Sequence, residues 1–255
     1  MALPTSLLAG LPDILFHARQ QAGYILFELE ARHRPPARPL CALSRTAPAA
    51  HASSLRVLKG NPLALTLELL TGDVRSPGLL GRVKLICWDP PLDGNWPWRR
   101  GGTPHTRPDR ATGIRNETST ARLGSVALRL YLCRALLAPD GIFCVRLAPA
   151  ALRQAQLLLD AVFGSENRLG TPPGTQPTTQ GPFPPDRVLL YATNPGRPDT
   201  GAPATAPPDW LQHLLHNGTR TGDTIVAIHP GADIARLTNT HARHWVLLNG
   251  SAAVG

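Results

Sequence analysis

Apolar residues in this chain come in short blocks that alternate between the two-residue period of a strand and the longer period of an amphipathic helix. The block Val83 to Trp88 is the clearest, entered through Gly81 and Arg82 and stopped by Pro90, which predicts a buried strand. Comparable blocks predict strands over 142–147, 188–191, 224–228 and 245–248. Helical spacing predicts helices over 11–32, 121–137, 150–163 and 209–216, with Pro149 suited to the start of the third. Asn61 followed by Pro62 pairs a capping side chain with a residue whose φ is pre-set, so a further helix runs on through Leu70. Strands alternating with helices predict an α/β chain with a doubly wound, mostly parallel sheet.

Segments that fit neither period divide the chain. Residues 1–54 read as an N-terminal extension and linker, 55–249 as a single α/β domain, and 250–255 as a tail. Inside the domain, 92–120, 170–185 and 194–208 are dominated by Gly and Pro with Arg or Thr, so they predict long loops. Loops of that length in a compact domain are usually functional or disordered. A length of 255 residues with 42% hydrophobic content allows one sizeable core.

Charge adds a partner to this picture. The net charge of +9 and pI near 10.4 favour a polyanion such as DNA, because cations that neutralise phosphates release counterions. Lys59 and Lys84 are the only lysines, however, and an arginine excess of this kind also follows from a GC-biased genome. The 92–120 loop carries Trp96, Trp98, Arg99, Arg100 and Arg107, which suit base stacking and phosphate contact. Tryptophans that cover the edge of the core beside solvated arginines explain the same residues. Cys41, Cys87, Cys133 and Cys144 have no metal-site spacing and read as reduced core cysteines of a cytoplasmic protein, so no metal is expected. No apolar stretch is long enough to span a bilayer, and 1–16 lacks a basic start and carries Asp13, so it does not read as a signal peptide.

Asp89 falls at the carboxyl end of the Val83 to Trp88 strand, where open α/β sheets hold their ligands, and is followed by Pro90, Pro91 and Leu92. The prolines fix the local backbone, so an exocyclic amine could donate to the Asp89 carboxylate and to a backbone carbonyl. An ordinary strand ending in a proline-rich turn reads equally well from these residues alone. In context, the stretch resembles motif IV of the S-adenosylmethionine-dependent DNA amino-methyltransferases (adenine-N6 or cytosine-N4), Asp/Asn/Ser-Pro-Pro followed by an aromatic. Other segments fall in the order of that family's β group. These are Val57 to Leu65 upstream, then Tyr131 to Leu147, Leu157 to Asn167 with its Phe-Gly-x-x-Asn end, Asp186 to Tyr191, and a cofactor segment from Gly222 to Leu248. The resemblance implies a Rossmann-like methyltransferase domain over 55–249, S-adenosylmethionine as cofactor, and methyl transfer to an amine of an extruded base, as in restriction-modification enzymes.

Departures from the family pattern mark out a second reading. Leu92 stands where an aromatic stacks on the base, and one of the loop tryptophans is a candidate for that role. In the cofactor segment Gly231 matches the first glycine and His229 the aromatic, while Ala227 replaces an acid, Asp233 replaces the second glycine, and Asn249 stands where an acid binds ribose hydroxyls. A catalytically degenerate, methyltransferase-like DNA-binding or scaffolding subunit is therefore the alternative. With little sequence left to form a target-recognition region, a homo-oligomer or a partner subunit is the expected source of recognition. Asp89 is expected to be dispensable for folding, since the motif uses it as a ligand-facing group.

Overall fold

The computed structural model describes residues 5–33, 54–72, 78–89, 119–147, 152–170, 187–194, 210–229, 234, 237–238 and 242–250. Among them run α1 (Thr5–His33), β1 (Ser54–Gly60), α2 (Pro62–Thr71), β2 (Val83–Trp88), α3 (Ser119–Leu136) and β3 (Leu137–Leu147). They are followed by α4 (Leu152–Phe163), β4 (Arg168–Gly170), β5 (Arg187–Ala192), α5 (Trp210–Gly218), β6 (Thr224–Ile228) and β7 (His244–Gly250). The seven strands form one sheet in the order β1-β7-β6-β2-β3-β5-β4. Pairing is parallel from β1 across to β3 and antiparallel at β5 and β4. The doubly wound, mostly parallel sheet expected from the alternation is what forms, in a single domain.

Burial follows from that position in the sheet. β2 and β6 are buried on both faces, as parallel interior strands must be, and this is why they read as nearly continuous apolar runs. β1 alternates between exposed and half-buried residues because it lies at the edge. One face of the sheet, carrying Ile86, Trp88, Phe143, Val145, Val226 and Ile228, packs against α1, α2, α3 and α4. The other, carrying Leu85, Cys87, Ile142, Cys144 and Ala227, packs against Leu211, Leu214 and Leu215 of α5 together with Ile234 and Leu237. α1 contributes Ala18, Ala22 and Leu29 to the first core, so part of the N-terminal segment packs with the domain.

Local chemistry sets the ends of these elements. The Asn61 side chain accepts from Leu63 N at 2.9 Å and Ala64 N at 3.4 Å, capping α2 as its sequence predicts. The Phe-Gly-x-x-Asn segment is a helix stop. Gly164 takes a φ of 94°, and the buried Asn167 side chain donates to Phe163 O at 2.7 Å. The short strand β4, which no apolar block announces, pairs with β5 just beyond this stop. Phe163 in turn stacks on Phe143 at 4.8 Å, and Phe143 meets Trp88 edge-on at 6.3 Å, tying α4 to the two strands that border the carboxyl edge.

The β2–β3 register contains one irregularity. Val83 pairs with Leu137, but Leu85 pairs with Ile142, so extra β3 residues are accommodated between them. Gly141 makes this possible: a Cβ there would lie 2.9 Å from Val83 O and 3.0 Å from Ala138 O. Gly141→Ala should therefore force the backbone apart and destabilise the protein by about 1–3 kcal/mol, a cost typical of overpacking. Urea denaturation checks this, and an unchanged midpoint would show that the turn relaxes freely.

Candidate active site

The chain order reverses between β6 and β2. From β2 it proceeds outward to β3, and from β6 it proceeds the other way to β7. In open α/β sheets the crevice at the carboxyl ends of such a pair is where ligands bind. Two hydrogen bonds close that edge. Asp89 N donates to Ile228 O at 3.0 Å, and His229 N donates to Leu248 O at 2.9 Å. The ends of β2, β6 and β7 are thus held side by side, with Asp89 and His229 at the mouth of the crevice.

Asp89 is 8% exposed, on the α5 side of the sheet. Its carboxylate is gripped by the guanidinium of Arg146 on β3, where Nε donates to Oδ1 at 3.1 Å and Nη2 donates to Oδ2. This two-pronged pairing fixes the carboxylate plane. An ionised carboxylate has about four lone-pair positions, so the fork leaves acceptor capacity on the outer side. The space enclosed on the inner side by Cys87, Cys144, Leu211 and Ile234 is about 10 Å³, room for one water, so a base cannot lie there. Asp89 is not the outward ligand-facing group that the motif implies but a buried carboxylate with a charged partner, which corrects the ground on which it was expected to be dispensable for folding.

Groups around the crevice are tuned chiefly by burial. Cys87 and Cys144 are register partners two residues before Asp89 and Arg146, on the same face of the sheet. Burial, with Cys87 adding to it, pushes the Cys144 thiol up, and burial drives Cys133 up to about 12 against the opposing charge of Arg129. Both thiols keep their protons, so neither supplies a nucleophile at neutral pH. His229 is half-buried and, at φ 53°, is the non-glycine residue with left-handed backbone among the described residues. Burial lowers its pKa, the charge of Arg129 lowers it further, and Asp89 opposes both, so the ring is neutral at pH 7. Arg129 of α3 lies with its guanidinium 5.9 Å from the centroid of the Trp88 ring.

The predicted residues are thus partly assembled. Asp89 and His229 come together at adjacent strand ends, and Asn249 is half-buried at the end of β7, the next strand over. Ala227 is fully buried in the layer facing α5. Pro90, Pro91, Leu92, Gly231, Trp96, Trp98, Arg99, Arg100 and Arg107 lie outside the described residues. Arg146 and Arg129 were not predicted. The signal for Arg146 was a lone charge near the carboxyl end of an otherwise apolar strand, and for Arg129 a cation on the apolar side of a helix. Among the described residues no group of three His, Cys, Asp or Glu is arranged to hold a metal, and no helix is long and apolar enough to cross a membrane.

No protein-family model matches the chain, and no curated protein sequence does. Its architecture does have solved counterparts. The cytosine-N4-specific PvuII DNA methyltransferase is 11% identical, with a TM-score of 0.50 over 79% of this chain and 83% of that one. M1.HpyAVI in complex with SAM is 10% identical, with a TM-score of 0.47 over 77% and 93%. TTHA0409 from Thermus thermophilus, complexed with S-adenosyl-L-methionine, is 14% identical, with a TM-score of 0.47 over 79% and 90%. The likeness to the PvuII enzyme shows the fold, a Rossmann-like, mostly parallel sheet with helices on both faces.

Removing one member of a buried ion pair strands the other's charge, whereas replacing both with apolar groups often costs little. Arg146→Met alone should therefore lower stability by about 3 kcal/mol, and Asp89→Leu/Arg146→Met should recover most of that loss. Denaturant midpoints of the three proteins test the pairing. Equal losses in the single and double variants would show that the loss does not come from a stranded Asp89 charge.

Proposed function

We propose that this chain is a DNA amino-methyltransferase, moving a methyl group from S-adenosylmethionine to the exocyclic amine of adenine or cytosine. The observation that carries the reading is Asp89, which lies at the carboxyl end of β2 and is joined by its N–H to Ile228 O at the end of β6, in the switch-point crevice. The donor set suits the cofactor. Asn249 at the end of β7 offers a carboxamide that can both donate to and accept from a ribose diol, and the neutral His229 ring borders the crevice. When bound, the cofactor supplies an electrophilic methyl group on sulfur.

The chain's own residues do the rest by position. An amine inside a duplex is unreachable, so the base must be extruded before it meets Asp89. The outer lone pairs of Asp89 accept one amine hydrogen, and the Pro90 carbonyl is the expected acceptor for the other, which leaves the nitrogen lone pair directed outward. Arg146 keeps the carboxylate from rotating, so the acceptor needs no reorganisation during reaction. No covalent intermediate with the protein is involved. Sequence recognition falls to the 92–120 loop or to a partner subunit.

A specific observation supports the alternative of a degenerate DNA-binding or scaffolding subunit. Ala227 is sealed in the core and Asn249 is neutral, so neither acid of the resembled cofactor site is present. Titration of S-adenosylmethionine by calorimetry separates the two, and the enzyme reading expects binding by the unmodified chain. Failure to bind at millimolar concentration selects the degenerate subunit, with Ala227→Asp/Asp233→Gly as the minimal attempt at repair.

In the enzyme, Asp89→Ala should abolish transfer of labelled methyl groups to DNA while cofactor affinity is retained. Asp89→Ala/Arg146→Met serves as the control in which no charge is left stranded. Transfer surviving in a folded Asp89→Ala protein would exclude the amine-holding role. Independently, changing Arg99, Arg100 and Arg107 together to alanine should flatten the log–log salt dependence of DNA binding by roughly one unit for each phosphate no longer neutralised. An unchanged slope would assign these arginines to a solvated surface.

A further inference from the structure

Arg129 is a cation that the mechanism above does not use. α3 joins the parallel neighbours β2 and β3, so it runs back antiparallel to them, and helical side chains lean toward the helix N-terminus. Arg129 is thereby directed toward the carboxyl edge of the sheet. Its guanidinium lies against the Trp88 ring, its Nε is sealed from solvent with no hydrogen-bond acceptor, and no carboxylate among the described residues pairs with it. Burial holds its pKa below the ordinary arginine value, and its charge reaches His229 at the mouth of the crevice. Buried charges are normally paired, and an unsatisfied buried donor calls for an unseen ion or ligand.

We infer that Arg129, fixed against Trp88 and directed toward the carboxyl edge of the sheet, forms an oxyanion site at the crevice that takes a carboxylate or phosphate group of a bound ligand. Contact with the indole restrains the guanidinium plane, and a planar fork of N–H donors is the geometry that matches such groups. The strained backbone of His229 borders the same crevice, as held conformations often do at ligand clamps. Two ligands carry the chemistry: the amino-acid end of the cofactor has a carboxylate, and an extruded nucleotide has its phosphodiester. The site itself stands on the geometry of Arg129, and only the choice of ligand rests on the methyltransferase reading.

The first test uses inorganic phosphate and the full chain. At constant ionic strength, phosphate should raise the thermal midpoint of the wild type more than that of Arg129→Met, with Arg129→Lys intermediate because it keeps the charge and loses the fork. Without phosphate, Arg129→Met should melt no lower than the wild type, since it removes an unpaired buried cation, whereas a purely structural arginine would leave a less stable protein. Equal phosphate responses in the wild type and both variants overturn the site. Two further measurements identify the ligand. If the cofactor carboxylate is held, Arg129→Met should weaken S-adenosylhomocysteine by about tenfold and leave methylthioadenosine, which lacks the carboxylate, unchanged. If a DNA phosphate is held, the log–log salt slope for duplex DNA should fall by about 0.9. A phosphate response with neither of these moving marks an adventitious ion only and also overturns the proposal. Absence of any adenosine-ligand binding would count against the methyltransferase reading, while the phosphate and DNA measurements would still decide the site.

Discussion

A carboxylate buried at the seam of a parallel sheet must have a cation beside it, and the geometry of the candidate site follows from how Asp89 obtains one. Arg146 is on the right face only because of the register between β2 and β3. Trp88 pairs with Val145, so Asp89 comes opposite Arg146. That register is reached through the irregularity between the pairs Val83–Leu137 and Leu85–Ile142, which Gly141 permits by having no Cβ. A slip of one residue would turn Arg146 to the other face and leave Asp89 with no partner. A glycine at the amino end of the sheet therefore determines the electrostatics at its carboxyl end.

The two faces of the sheet deliver different groups to the same edge. From the α5 side come Asp89 and Arg146, a nearly neutral pair. From the α3 side comes Arg129, and the uncharged His229 stands at the end of β6 between them. Where the resembled family has acids, the chain has Ala227, which is inside the core, and Asn249. Among the described residues the crevice therefore carries one positive charge more than negative. Such a balance suits a ligand bearing an oxyanion and contrasts with the acidic cofactor site of the resemblance.

Much of the fold was legible because interior parallel strands leave a plain signature, a run buried on both faces and closed by Gly or Pro. Val83 to Trp88 and Thr224 to Ile228 are the examples, and the places of Asp89 and His229, one residue past their ends, were legible for the same reason. What was not legible depends on pairing. β4 has too few apolar residues to announce itself and exists because β5 lies alongside. Arg146 and Arg129 gain their roles from neighbours far back along the chain, Asp89 just past the end of β2 and Trp88 at its last position. A single sequence read by local period shows each as a charge in an apolar element and cannot say what it meets.

The partnership of β1 with β7 has a kinetic consequence. Ser54 pairs with His244, through a side-chain hydrogen bond of 2.9 Å across a separation of 190 residues, and the strands stay in register to Gly60 and Gly250. On a ribosome, β1 and α2 emerge long before the strand that β1 pairs with, since some 190 residues separate Ser54 from His244. Chain closure over such a distance is slow, and an unpaired strand bearing Leu55 and Val57 is meanwhile open to association with other chains. The β1–β7 half of the sheet must therefore wait until β7 has been made, and its yield in the cell should depend on how well nascent chains are kept apart until then.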